Sequence, residues 1–181
     1  MHRLDKDTTG LMVVARTLEA HADLVKQLEA RTVSRSYIAL IWGTPIAGTT
    51  INAPIGRHPK DRQRMSVIEK GKPAITHYRV KEKFKWNTLL DVQLETGRTH
   101  QIRVHLSHTL LPIVGDKTYG KRVKLPPKID PALASTLCLF ERQALHAKRL
   151  ALVHPVTKES ISWEVPLPED MERLLALLRA K

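Results

Sequence analysis

MHRLDKDTTGLMVV, residues 1–14, sets His2, Arg3, Asp5, Lys6 and Asp7 directly ahead of an unbroken apolar run, Leu11, Met12, Val13 and Val14. The run reads as an interior strand, so GLMVVAR is expected to be a central strand of the fold with a charged loop leading into it. Behind it, TLEAHADLVKQLEAR has the spacing of a helix whose apolar side is traced by Leu18, Ala22, Val25 and Leu28, or by Ala22, Val25 and Ala30. VSRSYIALIWG then supplies a second β-rich run that ends at Gly43, so the front of the chain reads β-α-β.

Further along, GTTINAPIGRHPKDRQRM is rich in Gly, Pro and basic residues and reads as a loop. THYRVKEKF alternates Tyr78, Val80 and Glu82 against His77, Arg79 and Lys81, and NTLLDVQLETG alternates through Thr88, Leu90, Val92 and Leu94. Both are expected to be half-buried, antiparallel neighbours, and the basic row of the first could meet phosphate or simply face solvent. HQIRVHLSHT fits helix and strand periods alike. GKRVKLPPKIDPALAS, with Pro126, Pro127 and Pro131, reads as a surface excursion. QALHAKRLALVHP and SISWEVPL are strand candidates, and a short helix ends the chain with Pro168, Glu169 and Asp170 in its first turn and Leu174, Leu175, Leu177 and Leu178 on its buried side.

The 181 residues suit one domain, and 42% hydrophobic with 27% charged residues places the chain among globular proteins. Thirty Lys and Arg against eighteen Asp and Glu give a formal charge of +12 and a pI near 10.1, which points to a polyanionic partner, nucleic acid first. Cys138 is the only cysteine, so an intrachain disulfide and a cysteine-based zinc site are excluded. The polar N-terminus lacks a signal-peptide core, and no apolar run approaches the about 18 residues of a membrane span, so no membrane association is expected and the cytoplasm is the expected location.

Two groups of residues could do chemistry. Asp5 and Asp7 would share one side of an extended segment, without an obvious third carboxylate to complete a metal site. ETGRTHQIRVHLSH packs Arg98, His100, Arg103, His105 and His108 closely together, but no two of the histidines have the four-residue spacing of a helical zinc pair. A dense Arg and His cluster suits an anionic backbone better than a metal ion. Tyr37, inside the apolar SYIALIW, reads by itself as core, and nothing internal to RQALHAKRL marks it as a site.

Taken together and in order, these segments resemble the RluA-type family of pseudouridine synthases across essentially the whole chain. HRLDKDTTGL at 2–11 is similar to its catalytic HRLD-x-x-T-S/T-G motif, SYIALIWG to the segment bearing its active-site tyrosine, and GKPAITHYRV to the strand that follows. TGRTHQIRVHLSHTLLPIVGDKTYG is similar to its basic motif, and the PPK excursion leading to FERQALHA looks most like the RluD branch, which acts on large-subunit (23S) ribosomal RNA. The resemblance implies an α+β catalytic fold: a mixed, mostly antiparallel sheet flanked by helices and loops. It implies Asp5 as the catalytic aspartate, Arg103 as its bidentate ion-pair partner and Tyr37 against the target base. Arg3 would displace the uridine from its stack, Leu145 would wall the uracil pocket, and Arg98 and His100 would contact the RNA backbone. No cofactor or metal is implied, the partner is ribosomal RNA, and the chain is expected to be a monomer. Family members carry further strands before HRLD, and the RluD branch adds a small S4-like domain; residues 1–181 are thus expected to be a catalytic domain incomplete at its N-terminus. An RNA-binding fragment without turnover, and a metal-dependent nuclease built on Asp5, Asp7 and the histidines, are the competing readings.

Overall fold

The computed structural model describes residues 3–120, 125 and 127–180. In chain order the elements are β1 (Thr9–Gly10), α1 (Leu18–Glu29), β2 (Ser34–Trp42), β3 (Thr49–Asn52), β4 (Ile55–Arg57), β5 (Met65–Val67), β6 (Ile75–Lys83), β7 (Asn87–Leu94), α2 (Gln101–His108), α3 (Pro131–Leu139), β8 (Leu145–Val153), β9 (Ser160–Glu164) and α4 (Glu169–Arg179). The main sheet runs β1-β8-β2-β7-β6-β3, with β9 also paired to β8, and β4-β5 form a separate ribbon. Among the described residues only the β1–β8 pairing is parallel, so the sheet is mixed and mostly antiparallel, as the α+β reading requires.

The apolar run SYIALIW becomes β2, whose Ile38, Leu40 and Ile41 are wholly buried between β7 and β8. Ile102 and Leu106 of α2, Leu133 and Leu137 of α3, and Met171, Leu174, Leu175 and Leu178 of α4 join it in one cluster. Each such side chain contributes about 1.5–3 kcal/mol of burial. α1 packs elsewhere, with Leu24 and Leu28 against Val33, Leu150 and Leu152.

The opening stretch departs from its expected role. GLMVVAR is not a central strand: the strand β1 is Thr9–Gly10, paired at the sheet edge with His146 and Ala147, and Met12 and Val14 are 50% and 64% exposed. Leu11, Val13 and Ala15 alternate inward onto the α1 cluster, so the run is extended chain lying on the fold. Since β1 pairs with β8 and β8 lies antiparallel to β2, the β-α-β pattern is not a parallel crossover. Gly10 fixes this edge. Its φ is +107°, and a Cβ there would lie 2.2 Å from the Ala147 carbonyl oxygen, so only glycine fits. Gly10→Ala is expected to cost about 3 kcal/mol or more in denaturant unfolding; an unchanged midpoint would contradict this account of the edge.

Other expectations shift too. The inward side of α1 carries Leu24, Gln27 and Leu28, while Leu18 is 88% exposed, because Gln27 turns in to bond Val153 of β8 through both its carbonyl oxygen and its N–H. The stretch read as a basic loop holds two short strands, β3 and β4, and runs into a third, β5. HQIRVHLSH is a helix, α2, buried almost all round, which is why its apolar residues fit a strand period equally well. The PALAS part of the expected excursion forms α3; residues 121–124 and Pro126 lie outside the described residues. Leu177 of α4 is 45% exposed, with Met171 taking the inward position, and Pro168 caps the helix rather than entering it.

Candidate active site

The charged loop ahead of β1 closes in a tight turn, with the Thr8 N–H donating to the Asp5 carbonyl at 3.0 Å and Asp7 in the left-handed region at φ 69°. Asp tolerates that conformation better than most residues. The turn separates the two carboxylates: Asp5 lines a cavity of about 150 Å³, while Asp7 faces a neighbouring cleft. Two buried side chains of the RQALHA segment hold the loop. Gln143 donates to the Lys6 carbonyl at 2.6 Å and to Thr8 Oγ1 at 3.0 Å, and His146 Nδ1 bonds Thr9 Oγ1 at 2.9 Å. Gln143→Leu is expected to lower turnover about tenfold or more by releasing the Asp5 loop, a loss of the size expected when groups near reacting atoms move. An unchanged kcat would remove Gln143 from this role.

Tyr37 of β2 enters the same cavity. It pairs with Ala147 and Val92 across the two flanking ladders, so Leu145 and Leu94 stand diagonally beside it on the same face. All three line the cavity with Asp5, Arg3, Arg35 and Arg98. Burial is the main cause, and the Asp5 charge a lesser one, that pushes the Tyr37 hydroxyl above its ordinary pKa, so it is a neutral phenol at neutral pH.

Arg103 of α2 reaches Asp5 from behind: its Nη1 lies 3.3 Å from Asp5 Oδ2. The expected bidentate pairing with Asp5 is not what forms. The two parallel bonds go to Asp116, with Nε donating to Oδ2 at 2.7 Å and Nη2 to Oδ1 at 3.0 Å. A planar guanidinium can present one two-pronged edge to a carboxylate and still aim another donor elsewhere, and here the single bond is the one turned to the cavity. Asp116 is itself fully buried and accepts the backbone N–H groups of Thr118 and Tyr119. Burial opposes the charge on Arg103, but Asp116 and then Asp5 outweigh it and hold the guanidinium above its usual pKa. The Tyr119 ring lies 5.1 Å from the Arg103 guanidinium.

His100 precedes α2 in the left-handed region at φ 56° and lies outside the Asp5 cavity, facing the neighbouring cleft with Lys6, Lys117 and Arg142. Tyr119 accepts the Met65 N–H at its hydroxyl, and that hydroxyl lies 2.8 Å from His100 Nδ1. Burial, aided by Arg103 and Arg3, lowers the His100 pKa despite the pull of Asp5 and Asp116. His105 is lowered by burial as well, and sits between Thr76 Oγ1 and the Ala53 carbonyl, a structural position. For both groups the folded state holds its proton less tightly than the unfolded chain, so the unfolded state binds more protons around pH 6.5. Stability is therefore expected to be complete above about pH 6.5 and to fall as pH drops below it. His105→Gln should flatten that slope in urea titrations; a slope equal to that of the parent chain would contradict the assignment.

Of the expected site residues, Asp5, Tyr37, Arg3, Arg98 and Leu145 share one cavity, Arg103 adjoins it through Asp5, and His100 is set apart. The exposed basic row of β6 is partly committed: Lys81 pairs with Asp91 and His77 with Glu95. Sequence reasoning missed four polar residues that build the site. Asp116 stood inside the quoted GDKTYG and Arg35 two residues before Tyr37, both visible as charges in apolar surroundings. Gln143 and Gln101 gave no signal; the Gln101 amide bonds Thr96, Arg98, Ile75 and Thr76 and so anchors the loop that carries Arg98. Among the described residues, no three His, Cys, Asp or Glu side chains come together as metal ligands, and no helix is long and apolar enough to cross a membrane.

The chain spans about half the length of the curated relatives it matches. It is 59% identical over 179 residues to the ribosomal large subunit pseudouridine synthase D of Pseudomonas aeruginosa, covering 99% of this chain and 56% of that protein. To the protein of the same name from Escherichia coli K12 it is 51% identical over 180 residues, covering 99% and 55%. Among solved structures, human RNA pseudouridylate synthase domain containing 4 superposes with a TM-score of 0.77 at 28% identity, over 98% of this chain and 74% of that one. Human RNA pseudouridylate synthase domain containing 1 gives 0.75 at 27%, over 99% and 79%. The family model for RNA pseudouridylate synthase matches residues 1–108, the stretch that supplies the Asp5 loop, Tyr37 and Arg103. On that match, the chain belongs to the RNA pseudouridylate synthase family.

Proposed function

We propose that this chain isomerises uridine to pseudouridine in large-subunit ribosomal RNA, acting in the cytoplasm as a monomer. The observation that carries the reading is the Asp5 carboxylate, held by Arg103 through Oδ2 at the wall of a cavity that also contains Tyr37 and Leu145. The names of the relatives support the choice of large-subunit RNA, and the +12 charge suits a polyanionic substrate.

The reaction breaks the N1–C1′ bond, turns the uracil and joins C5 to C1′; the proton at C5 leaves and N1 gains one. Atoms balance without a cofactor. Asp5 acts at the sugar, as nucleophile or base, and either task needs an ionised carboxylate with an oxygen to spare. Arg103 occupies Oδ2 and leaves Oδ1 for the substrate. The uracil lies against Tyr37 and Leu145, whose apolar surfaces hold the detached base in place while it turns. Tyr37, a neutral phenol, helps remove the C5 proton as a relay, its oxygen taking that proton as its own hydroxyl proton passes to solvent. Extracting a uridine from its stack costs a few kcal/mol, which Arg3 and contacts of Arg98 and His100 to the RNA backbone offset.

The C5 proton provides the test. Large-subunit ribosomal RNA carrying tritium at C5 of uridine should release it to solvent when incubated with the chain. RNA that is bound while its tritium is fully retained would overturn the reading.

A further inference from the structure

Arg35 is a cation at the site to which the chemistry above gives no task. It lies on β2 two residues before Tyr37 and so leaves the same face of the strand. It is only 7% exposed, yet its Nε is buried with no hydrogen-bond partner, and the residue makes no ion pair among the described residues. A guanidinium offers five donors and does not give up its charge, so a buried, unpaired one is missing an anion. Burial acts on Arg35 in the expected direction, pulling its pKa below the ordinary arginine value.

The room beside it is kept open by Gly97, where a Cβ would lie 2.6 Å from Arg35 Nη1. Arg35, Gly97 and Arg98 also form the wall common to the Asp5 cavity and an adjoining open cleft of about 390 Å³. In that cleft Glu95 is already occupied by Arg31 at 3.1 Å and His77 at 2.7 Å. Glu29 is exposed at the end of α1. The wall between the two spaces is therefore cationic.

We propose that Arg35, with Arg98 beside it, binds the phosphodiester adjoining the nucleotide whose base enters the Asp5 cavity. The base lies on the Tyr37 side of the shared wall, and the chain passes out through the cleft with its phosphate at the Arg35 guanidinium. The proposal rests on the reading of this site as one that takes a uridine out of RNA.

Salt titration of binding to a large-subunit ribosomal RNA transcript tests it. Arg35→Gln is expected to weaken binding about tenfold or more. It should reduce the slope of log Kd against log salt by about 0.7 to 0.9, the signature of one lost phosphate contact. Its thermal midpoint should equal or exceed that of the parent chain, because an unpaired buried charge has been removed. Arg35→Lys should keep the slope and lose only part of the affinity. A lowered midpoint with an unchanged slope would make Arg35 a structural residue and overturn the proposal. If Arg35→Gln does not fold, an Arg35→Lys chain with wild-type affinity would overturn it equally.

Inorganic phosphate separates the two sources of the anion. A phosphate-dependent rise in midpoint that Arg35→Gln abolishes, with the RNA slope unmoved, would mean a site for free phosphate and refute the RNA assignment. Failure of the enzymatic reading is distinguishable: it removes tritium release but leaves the salt slopes intact, whereas failure of this proposal leaves tritium release intact and the slopes equal.

Discussion

Asp5→Asn is expected to reduce pseudouridine formation by about 10³-fold or more, with RNA affinity unchanged within about twofold. The replacement keeps the shape of the side chain and its place in the turn closed by Thr8, and removes only the ionised oxygen that the proposed reaction requires at the sugar. Arg103 should not move, because its two strong bonds run to Asp116 and only one, at 3.3 Å, runs to Asp5. The variant should therefore fold with the parent's midpoint and bind the parent's RNA, so a defect in rate alone is the diagnostic result. Single-turnover kinetics at saturating enzyme separate the two quantities. A loss that disappears at saturation would assign Asp5 to binding and remove it from the chemistry.

Arg103→Met is expected to be the most damaging change of all, because it acts on two carboxylates at once. Asp116 is left as a buried charge whose remaining partners are the Thr118 and Tyr119 N–H groups, and Asp5 loses the guanidinium that orients it. Breaking a buried pair by deleting one member typically costs about 3–5 kcal/mol, far more than the pair contributes when intact. Turnover should fall at least as far as in Asp5→Asn, with RNA affinity mostly retained. Asp116→Ala should give a stability loss of the same order by stranding the guanidinium, and the double variant should cost clearly less than the two losses added together. Additive losses in urea unfolding would show that the two side chains do not act as one unit. The Asp116 result carries a further consequence: it would locate the support of the reacting carboxylate in the loop after α2.

Much of the fold was legible because β6 and α4 are half-buried and carry a clear period, while β2 is an unbroken β-rich apolar run. SYIALIW, THYRVKEK and NTLLDVQL became β2, β6 and β7, the last two antiparallel neighbours as expected, and α1 and α4 lie where their patterns put them. The failures have physical causes. α2 is buried almost all round, which erases the polar stripe that distinguishes helix from strand. The strands β3, β4 and β5 are three or four residues long, too short to show alternation through their Gly and Pro neighbours. Leu11 to Val14 looked like a core strand because apolar residues lying on the rim of a fold are indistinguishable, by type, from residues inside it. At the site, Asp5 and Arg103 are 98 positions apart, and only the order of the motifs, through family resemblance, brought them together. The supporting shell, Asp116, Gln143 and Gln101, consists of common polar residues whose importance comes from burial, and burial is what a sequence states least directly.

The central claim is that one carboxylate on the opening loop, in this chain alone, converts uridine to pseudouridine in large-subunit ribosomal RNA. Carbodiimide labelling followed by primer extension reads that product position by position. Unmodified large-subunit ribosomal RNA incubated with the chain should acquire new stops at discrete uridines, and the same RNA incubated with Asp5→Asn should acquire none. Stops of equal strength with both proteins, or an RNA that is bound by the parent chain and acquires no stop at all, would contradict the account.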